Sequence, residues 1–145
     1  MIDSSVEILL VEDNPADVEL TLDALKVNKL ANKLHVVRDG FEAIEFLFCT
    51  GAYANRPRHN PKLVLLDLKL PKLNGIEVLR RIRDNPATSA LPVVILTTSR
   101  EERDMTQTYD LHVNSYIVKP VDYEQFNESV KQIGFYWLLL NQPPE

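Results

Sequence analysis

The sequence predicts a doubly wound α/β fold in which a five-stranded parallel sheet is flanked by five helices. Short apolar segments alternate five times with segments of helical periodicity along the 145 residues. Three of the short segments are apolar almost throughout, which is typical of strands covered on both faces of a parallel sheet. No internal repeat, low-complexity stretch or linker divides the chain, so we expect one domain over residues 1–145.

The five predicted strands are short segments, several of them rich in Val, Ile and Leu. They are Glu7–Val11, Leu34–Val37, Leu63–Leu66, Val93–Leu96 and Ser115–Val118. Parallel strands joined by right-handed crossovers run in one direction, so their carboxyl ends are expected at the same edge of the sheet.

The predicted helices are the segments that follow each strand. They are Ala16–Asn28, Phe41–Phe48, 74–84, 99–109 and 122–137. Asn14 and Pro15 supply a cap and a first-turn residue for the first helix. The segment 99–109 is polar and is expected to be an exposed helix, whereas the last helix is amphipathic. Its apolar stripe consists of Phe126, Val130, Ile133 and Trp137.

Composition excludes several classes of function. The formal net charge of -5 argues against binding nucleic acid through the domain as a whole, and no apolar run approaches the length of a membrane span. The N-terminus has no secretory pattern, and the single cysteine, Cys49, suits a reducing cytoplasm. The three histidines have no ligand spacing, so we do not expect zinc. The irregular segment 49–62 is compatible with either a functional or a decorative surface loop.

Polar side chains with complementary chemistry follow the predicted strands. Glu12 and Asp13 follow the first strand, and Asp67 follows the third. Thr97 follows the fourth strand and Lys119 the fifth. Ligands of open parallel sheets bind outside the carboxyl ends of the strands, so these five side chains are expected to meet there.

This combination indicates phosphoryl transfer. Carboxylates gathered at one edge repel each other unless a cation bridges them, and hard oxygen ligands select magnesium rather than zinc. A carboxylate such as Asp67 can act as the nucleophile and form an aspartyl phosphate. Lys119 and Thr97 could then contact phosphate oxygens. Taken singly, Asp13, Asp67 or Thr97 would more often cap a helix, and Lys119 would more often be a surface lysine.

The motifs around these residues resemble those of the response-regulator receiver domain over residues 6–135. They are the acidic pair Glu12-Asp13, "LLDLKLPKLNG" around Asp67, "ILTTS" at Thr97 and "SYIVKP" ending at Pro120. Each motif is weak alone, and their combination is specific. The resemblance implies the flavodoxin-like receiver fold, a five-stranded parallel sheet flanked by five helices.

The resemblance implies roles for the acidic residues. Asp67 would accept a phosphoryl group from a phosphohistidine of a sensor histidine kinase. Asp13 and Asp67 would bind Mg²⁺ directly, the backbone carbonyl of Lys69 would add a ligand, and Glu12 would act largely through water.

The resemblance also implies roles beyond the metal. Lys119 would contact the phosphoryl group, Thr97 would move toward it, and Tyr116 would switch between two rotamers. A cis peptide bond before Pro120 would fix the direction of Lys119. The other interpretation of Tyr116 is an edge-strand aromatic without a switching role.

Longer segments resemble the small phytochrome-associated response regulators, which stand alone without an output domain. The similar segments are the loop before the third strand, "LPVVILTTSREERD", "NSYIVKPVD" and the end "FYWLLL". The resemblance implies a light-sensing bacterial-type phytochrome as the kinase. The apolar tail at 135–145 predicts a homodimer through the last helix and tail, although the tail could instead fold back on its own domain.

Two alternative functions are compatible with parts of the pattern. The first is a phosphotransferase or phosphatase with an aspartyl-phosphate intermediate; such enzymes generally have an acid two residues after the nucleophile, where this chain has Lys69. The second is a flavodoxin-type cofactor domain, which would need a hydroxyl- or glycine-rich loop after the first strand instead of Glu12-Asp13-Asn14. We therefore predict a phosphorylation switch that catalyses only its own Mg²⁺-dependent phosphorylation and dephosphorylation.

Overall fold

The computed structural model describes residues 7–28, 33–57, 59–98 and 110–132. Within these ranges the strands form one five-stranded sheet in the order β2-β1-β3-β4-β5, and every pairing is parallel. The strands are β1 (Glu7–Val11), β2 (Lys33–Val37), β3 (Leu63–Asp67), β4 (Val93–Thr97) and β5 (Ser115–Val118). The predicted parallel sheet is therefore confirmed.

The described part of the chain contains four α-helices and one 3₁₀ turn; three helices and the turn lie between strands, and the last helix follows β5. They are α1 (Pro15–Asn28), α2 (Gly40–Phe48), the 3₁₀ turn Gly51–Tyr53, α3 (Gly75–Asp84) and α4 (Tyr123–Gln132). The polar helix predicted at 99–109 lies outside the described residues, as do Ile133, Trp137 and the tail 135–145. Among the described residues, no helix combines the length and apolar character needed to cross a membrane.

The sheet is covered on both faces, which explains the continuous apolar strands. All residues of β1, β3 and β4 are buried. Ile8 and Leu10 pack into the layer that contains α1 and α4, whereas Leu9 and Val11 pack into the layer that contains α2 and α3. Because successive side chains of a strand point to opposite faces, the interior positions of β1, β3 and β4 must all be apolar.

Two strands extend one residue further at their carboxyl ends than the sequence predicts, and β2 begins one residue earlier, at Lys33. Asp67 is the last residue of β3 and is paired with Leu96, and Thr97 is the last residue of β4 and is paired with Val118. A polar side chain at the sheet edge does not interrupt backbone pairing, so the ladder includes these two residues. The site residues are consequently held by the sheet itself.

Side-chain caps begin the first three helices. Asn14 accepts a hydrogen bond from the backbone N–H of Asp17 at 3.0 Å, which confirms the predicted cap of α1. Asp39 accepts one from Glu42 at the start of α2 at 2.8 Å. Asn74 does the same at the start of α3.

A buried glutamate at the amino-terminal end of β1 anchors the irregular segment 49–62. Arg56 Nη2 lies 3.6 Å from Glu7 Oε1, and His59 Nε2 lies 3.1 Å from the same oxygen. His35 Nε2 lies 3.3 Å from Glu7 Oε2. The Arg56 guanidinium also covers the ring of Phe46 at 3.8 Å. The segment is thereby attached to the sheet edge opposite the predicted site.

Arg83 ties the end of α3 to the segment that leads into β5. Its guanidinium donates to the carbonyl oxygens of Ser89, Leu91, Leu111 and His112 and to the side chain of Asn114. Burial lowers the pKa of Arg83 from its ordinary value. Since these acceptors lie close to the starts of β4 and β5, Arg83 fixes the approach of both strands.

We expect Arg83→Gln to lower the free energy of unfolding by about 1–3 kcal/mol, because several carbonyl groups, among them that of the buried Leu91, lose their donor. The matched control is Arg81→Gln, which removes an exposed contact with Glu77 and should cost less than about 1 kcal/mol. Urea denaturation of both variants measures the difference. Equal losses in the two variants would contradict the role assigned to Arg83.

Candidate functional site

The carboxyl ends of β1 and β3 bring three carboxylates together. The two strands are neighbours, with Val11 opposite Leu66, so Glu12, Asp13 and Asp67 emerge side by side. Oxygen atoms from the three carboxylates all lie within 4.8 Å of one another. Glu12 and Asp67 are buried, whereas Asp13 is exposed. The sequence prediction that these three acids meet is confirmed.

Lys119 neutralises part of this negative charge from the end of β5. Its ammonium nitrogen lies 2.7 Å from Glu12 Oε1 and 3.3 Å from Asp67 Oδ2. Its backbone N–H donates to the carbonyl of Thr97 at 2.8 Å, which continues the parallel ladder beyond β5. The Lys119–Pro120 peptide bond is cis, as the family resemblance implied.

Asp17 is a member of this constellation that the sequence analysis missed. In the sequence Asp17 is only an acid in the first turn of the first helix, where it complements the positive helix end, yet its Oδ2 lies 3.1 Å from Lys119 Nζ. No local pattern in the sequence signals this contact, because it joins the first turn of α1 to a residue that follows β5, 102 positions later. Complementing the helix and pairing with Lys119 are compatible.

The electrostatics of the site follow from burial and from close opposite charges. Burial raises the pKa of Glu12 from 4.5 to about 7; the contact with Lys119 acts in the opposite direction and Asp67 adds to the rise. For Lys119, burial alone would lower the pKa, but the contacts with Glu12, Asp67 and Asp17 outweigh it and raise the pKa. Lys119 therefore stays cationic, and Glu12 takes up a proton more readily than an exposed glutamate does.

Thr97 and Tyr116 lie in the two strands beyond Asp67. Thr97 is buried at the end of β4, and Tyr116 is half-buried in the middle of β5, opposite Ile95. Tyr116 packs against the apolar layer on the side of α2 and α3. The positions agree with those expected for a threonine at the site and an aromatic residue further along the sheet, and their switching roles remain predictions.

The loop after β3 is held close to the site by a glycine. A Cβ atom on Gly75 would collide with the backbone oxygen of Asp67 and lie 2.6 Å from Leu68 Cα. The Gly75 N–H donates to the carbonyl of Leu68 at 2.9 Å. Lys69, whose side chain is exposed, donates its backbone N–H to Asp67 Oδ1 at 3.3 Å. The "NG" of the motif therefore permits close packing between α3 and the Asp67 loop.

The donor set fits a hard divalent cation. Three carboxylates offer only oxygen, and one of them is exposed, so water ligands can complete an octahedral shell as Mg²⁺ prefers. No other group of at least three His, Cys, Asp or Glu ligands comes as close together among the residues that the structure describes. His35 and His59 approach Glu7 instead, and Arg56 supplies a positive charge there. The sequence expectation of magnesium rather than zinc agrees with this arrangement.

Comparisons with known proteins agree with the site. The family model for the response regulator receiver domain matches residues 8–131. Response regulator Rcp1 of Synechocystis sp. (strain ATCC 27184 / PCC 6803 / Kazusa) is 45% identical over 131 residues, which are 90% of this chain and 88% of Rcp1.

Solved structures give the same result. The bacteriophytochrome response regulator AtBRR is 51% identical, with a TM-score of 0.87 over 95% of this chain and 99% of that chain. The phosphorylated cyanobacterial phytochrome response regulator RcpA is 43% identical, with a TM-score of 0.76 over 97% and 99% of the two chains. The Mn²⁺-bound form of Rcp1 is 42% identical, with a TM-score of 0.75 over the same shares.

These relatives confirm the resemblance to phytochrome-associated response regulators. The family match covers the sheet, the acidic cluster and Lys119, and it extends into α4. The chain therefore belongs to the response regulator receiver domain family.

Proposed function

We propose that Asp67 is the phosphoacceptor of this response regulator and that residues 1–145 form one receiver domain. The observation that carries the proposal is the position of Asp67. Its carboxylate belongs to the acidic cluster and also lies 3.3 Å from Lys119 Nζ. A carboxylate placed between a metal site and an ammonium group can attack phosphorus while both cations neutralise charge on the phosphoryl oxygens.

Asp13 and Asp67 are proposed as direct Mg²⁺ ligands, with the carbonyl of Lys69 as a further ligand and Glu12 acting largely through water. The mutual approach of the carboxylates within 4.8 Å supports this assignment. The Mn²⁺-bound form of Rcp1 supports a divalent cation in a relative. When bound, Mg²⁺ would screen the negative charge of the acids and of the phosphate donor.

In the proposed reaction, an Asp67 carboxylate oxygen forms a bond to phosphorus as the N–P bond of a phosphohistidine breaks. The electron pair of that bond returns to the imidazole nitrogen. Lys119 contacts the transferred group, and Thr97 moves toward it. Tyr116 then follows Thr97, so the phosphoryl group biases a two-state equilibrium at the surface that includes β5 and α4.

A sensor histidine kinase is the proposed phosphodonor, and a phytochrome is the kinase that the relatives favour. AtBRR is a bacteriophytochrome response regulator and RcpA a phytochrome response regulator, at 51% and 43% identity. The cytoplasmic location expected from the sequence stays a prediction. The rival function, an enzyme with an aspartyl-phosphate intermediate, is disfavoured because position 69 carries lysine instead of a second acid.

A homodimer through the last helix and tail is the proposed assembly. Val118 at the end of β5 is 52% exposed and Tyr123 at the start of α4 is 39% exposed. Burial of these two large apolar side chains in an interface would stabilise the dimer. The tail 135–145 lies outside the described residues, so Val118 and Tyr123 carry the structural argument.

The phosphoacceptor assignment predicts a single phosphoryl adduct after incubation with Mg²⁺ and acetyl phosphate, detected by intact-mass spectrometry. Asp67→Asn should form none, because the amide is a poor nucleophile. Lys119→Met should react more slowly by a factor on the order of 10². Asp84→Asn, which removes an exposed acid at the end of α3, is the control and should react like the unmodified protein. An adduct of equal yield in Asp67→Asn would refute the assignment.

The raised pKa of Glu12 predicts that Mg²⁺ affinity increases from about pH 6 to about pH 8. A proton on Glu12 disfavours the cation, and a carboxyl with a pKa of about 7 would change affinity by about tenfold over this range. Calorimetric titration with Mg²⁺ measures the effect. The Glu12→Gln variant should lose most of the pH dependence, and retention of the full dependence would count against Glu12.

The same shift sets the pH dependence of stability in the metal-free protein. The pKa of Glu12 is higher in the folded protein than its ordinary value of 4.5, so the folded protein binds the proton more tightly. This contribution to stability is fully present below about pH 4.5 and is lost as the pH rises through about 7. Comparing unfolding of the unmodified protein with Glu12→Gln across this range isolates the contribution.

The assembly is tested by truncation after Gly134 and sedimentation analysis. We expect the truncated chain to sediment as a monomer under conditions in which the full chain is dimeric. A second variant, Tyr123→Ser, keeps the tail and should weaken the dimer without removing residues. An unchanged oligomeric state in both variants would reject the proposed interface.

A further inference from the structure

Asp17 contacts the functional lysine without belonging to the acidic cluster. Its carboxylate accepts a hydrogen bond from Lys119 Nζ at 3.1 Å. The three-carboxylate group that fits the cation consists of Glu12, Asp13 and Asp67, and Asp17 is outside it. Asp17 therefore touches the site through Lys119.

We propose that Asp17 is a positioning residue that holds Lys119 toward α1 and slows phosphorylation of Asp67. The inference rests on the proposed function, since it assumes that Lys119 must serve a phosphoryl group on Asp67. It adds a residue of the first helix to a site built from strand ends.

The distances around Lys119 indicate the direction of this restraint. The ammonium lies 2.7 Å from Glu12, 3.1 Å from Asp17 and 3.3 Å from Asp67, so its longest contact is to the phosphoacceptor. An ammonium group has three N–H donors, and each of these acids can accept one. A phosphoryl group on Asp67 can gain a contact with Lys119 only if an existing contact weakens.

The backbone of Asp17 is fixed by two hydrogen bonds, which limit any movement of its carboxylate with the Lys119 ammonium. Its backbone N–H donates to Asn14 Oδ1 at 3.0 Å, and its carbonyl accepts from the Thr21 hydroxyl at 2.8 Å. The Thr21 side chain is fully buried. The carboxylate therefore projects from a fixed turn of helix, and a movement of Lys119 from its present position toward a phosphoryl group on Asp67 would weaken its contact with Asp17.

Charge acts in the same direction. When Asp67 attacks acetyl phosphate, an O–P bond forms, the P–O bond to the acetyl group breaks, and acetate leaves with the electron pair. The product carries more negative charge at position 67 than the free carboxylate did. Asp17 repels this charge and competes with it for Lys119, so a neutral side chain at position 17 favours the phosphorylated state.

The test measures the rate of phosphorylation by acetyl phosphate at saturating Mg²⁺ in Asp17→Asn. We expect a rise of about threefold to fivefold, the upper part of the range for one partly exposed ion pair. The matched control is Glu19→Gln, which removes one exposed charge from the same helix and should leave the rate unchanged. Thermal unfolding of each variant is recorded in parallel. If Asp17 only stabilises α1, the Asp17→Asn substitution should lower the stability without raising the phosphorylation rate.

A Lys119→Met background separates positioning from general charge repulsion. There the Asp17→Asn change should leave the slower rate within about twofold, because the ammonium through which Asp17 acts is gone. An equal rise in this background would overturn the positioning role. So would an unchanged or reduced rate in the single variant while the unmodified protein still forms its Asp67 adduct. Absence of an adduct in the unmodified protein would instead reject the proposed function, and this inference with it.

Discussion

The site depends on how the repulsion among carboxylates at one sheet edge is balanced. Glu12, Asp13 and Asp67 lie within 4.8 Å of one another, and two of them are buried. In the described residues one ammonium, from Lys119, contacts both buried acids. A single positive charge leaves the cluster negative, and this residual charge attracts a divalent cation. Anything that redirects Lys119 therefore changes both metal binding and phosphoryl transfer.

The fold and the main site residues are predictable because strong local patterns encode them. The interior of a strand buried on both faces is apolar, so the first polar residue marks the carboxyl ends of β1, β3 and β4 to within one residue. Parallel connections then bring Asp67 and Lys119 to one edge without further information. The strand ends at Asp67 and Thr97 were predicted one residue early, because backbone pairing does not depend on side-chain polarity.

Contacts between distant segments are much harder to predict. Asp17 and Lys119 are 102 positions apart in sequence, and nothing local marks Asp17 as more than a helix-start acid. The approach of His35 and His59 to Glu7 depends on the path of the segment 49–62, for which the sequence supplies no periodicity. From the sequence alone, Arg83 is likewise indistinguishable from an ordinary basic residue in the last turn of a helix. Such contacts arise from tertiary packing rather than from propensity.

Strand β1 has a buried glutamate at its amino-terminal end and another immediately after its carboxyl-terminal end. Glu7 is 7% exposed and Glu12 is not exposed, and Ile8–Val11 separates them. A slip of β1 by two residues would keep the correct faces but would carry one acid into an apolar layer, away from its cationic partners. The two glutamates thus lock the register of β1. The position of Asp13 in the acidic cluster is therefore set partly by Arg56 and the histidines at the far end of the same strand.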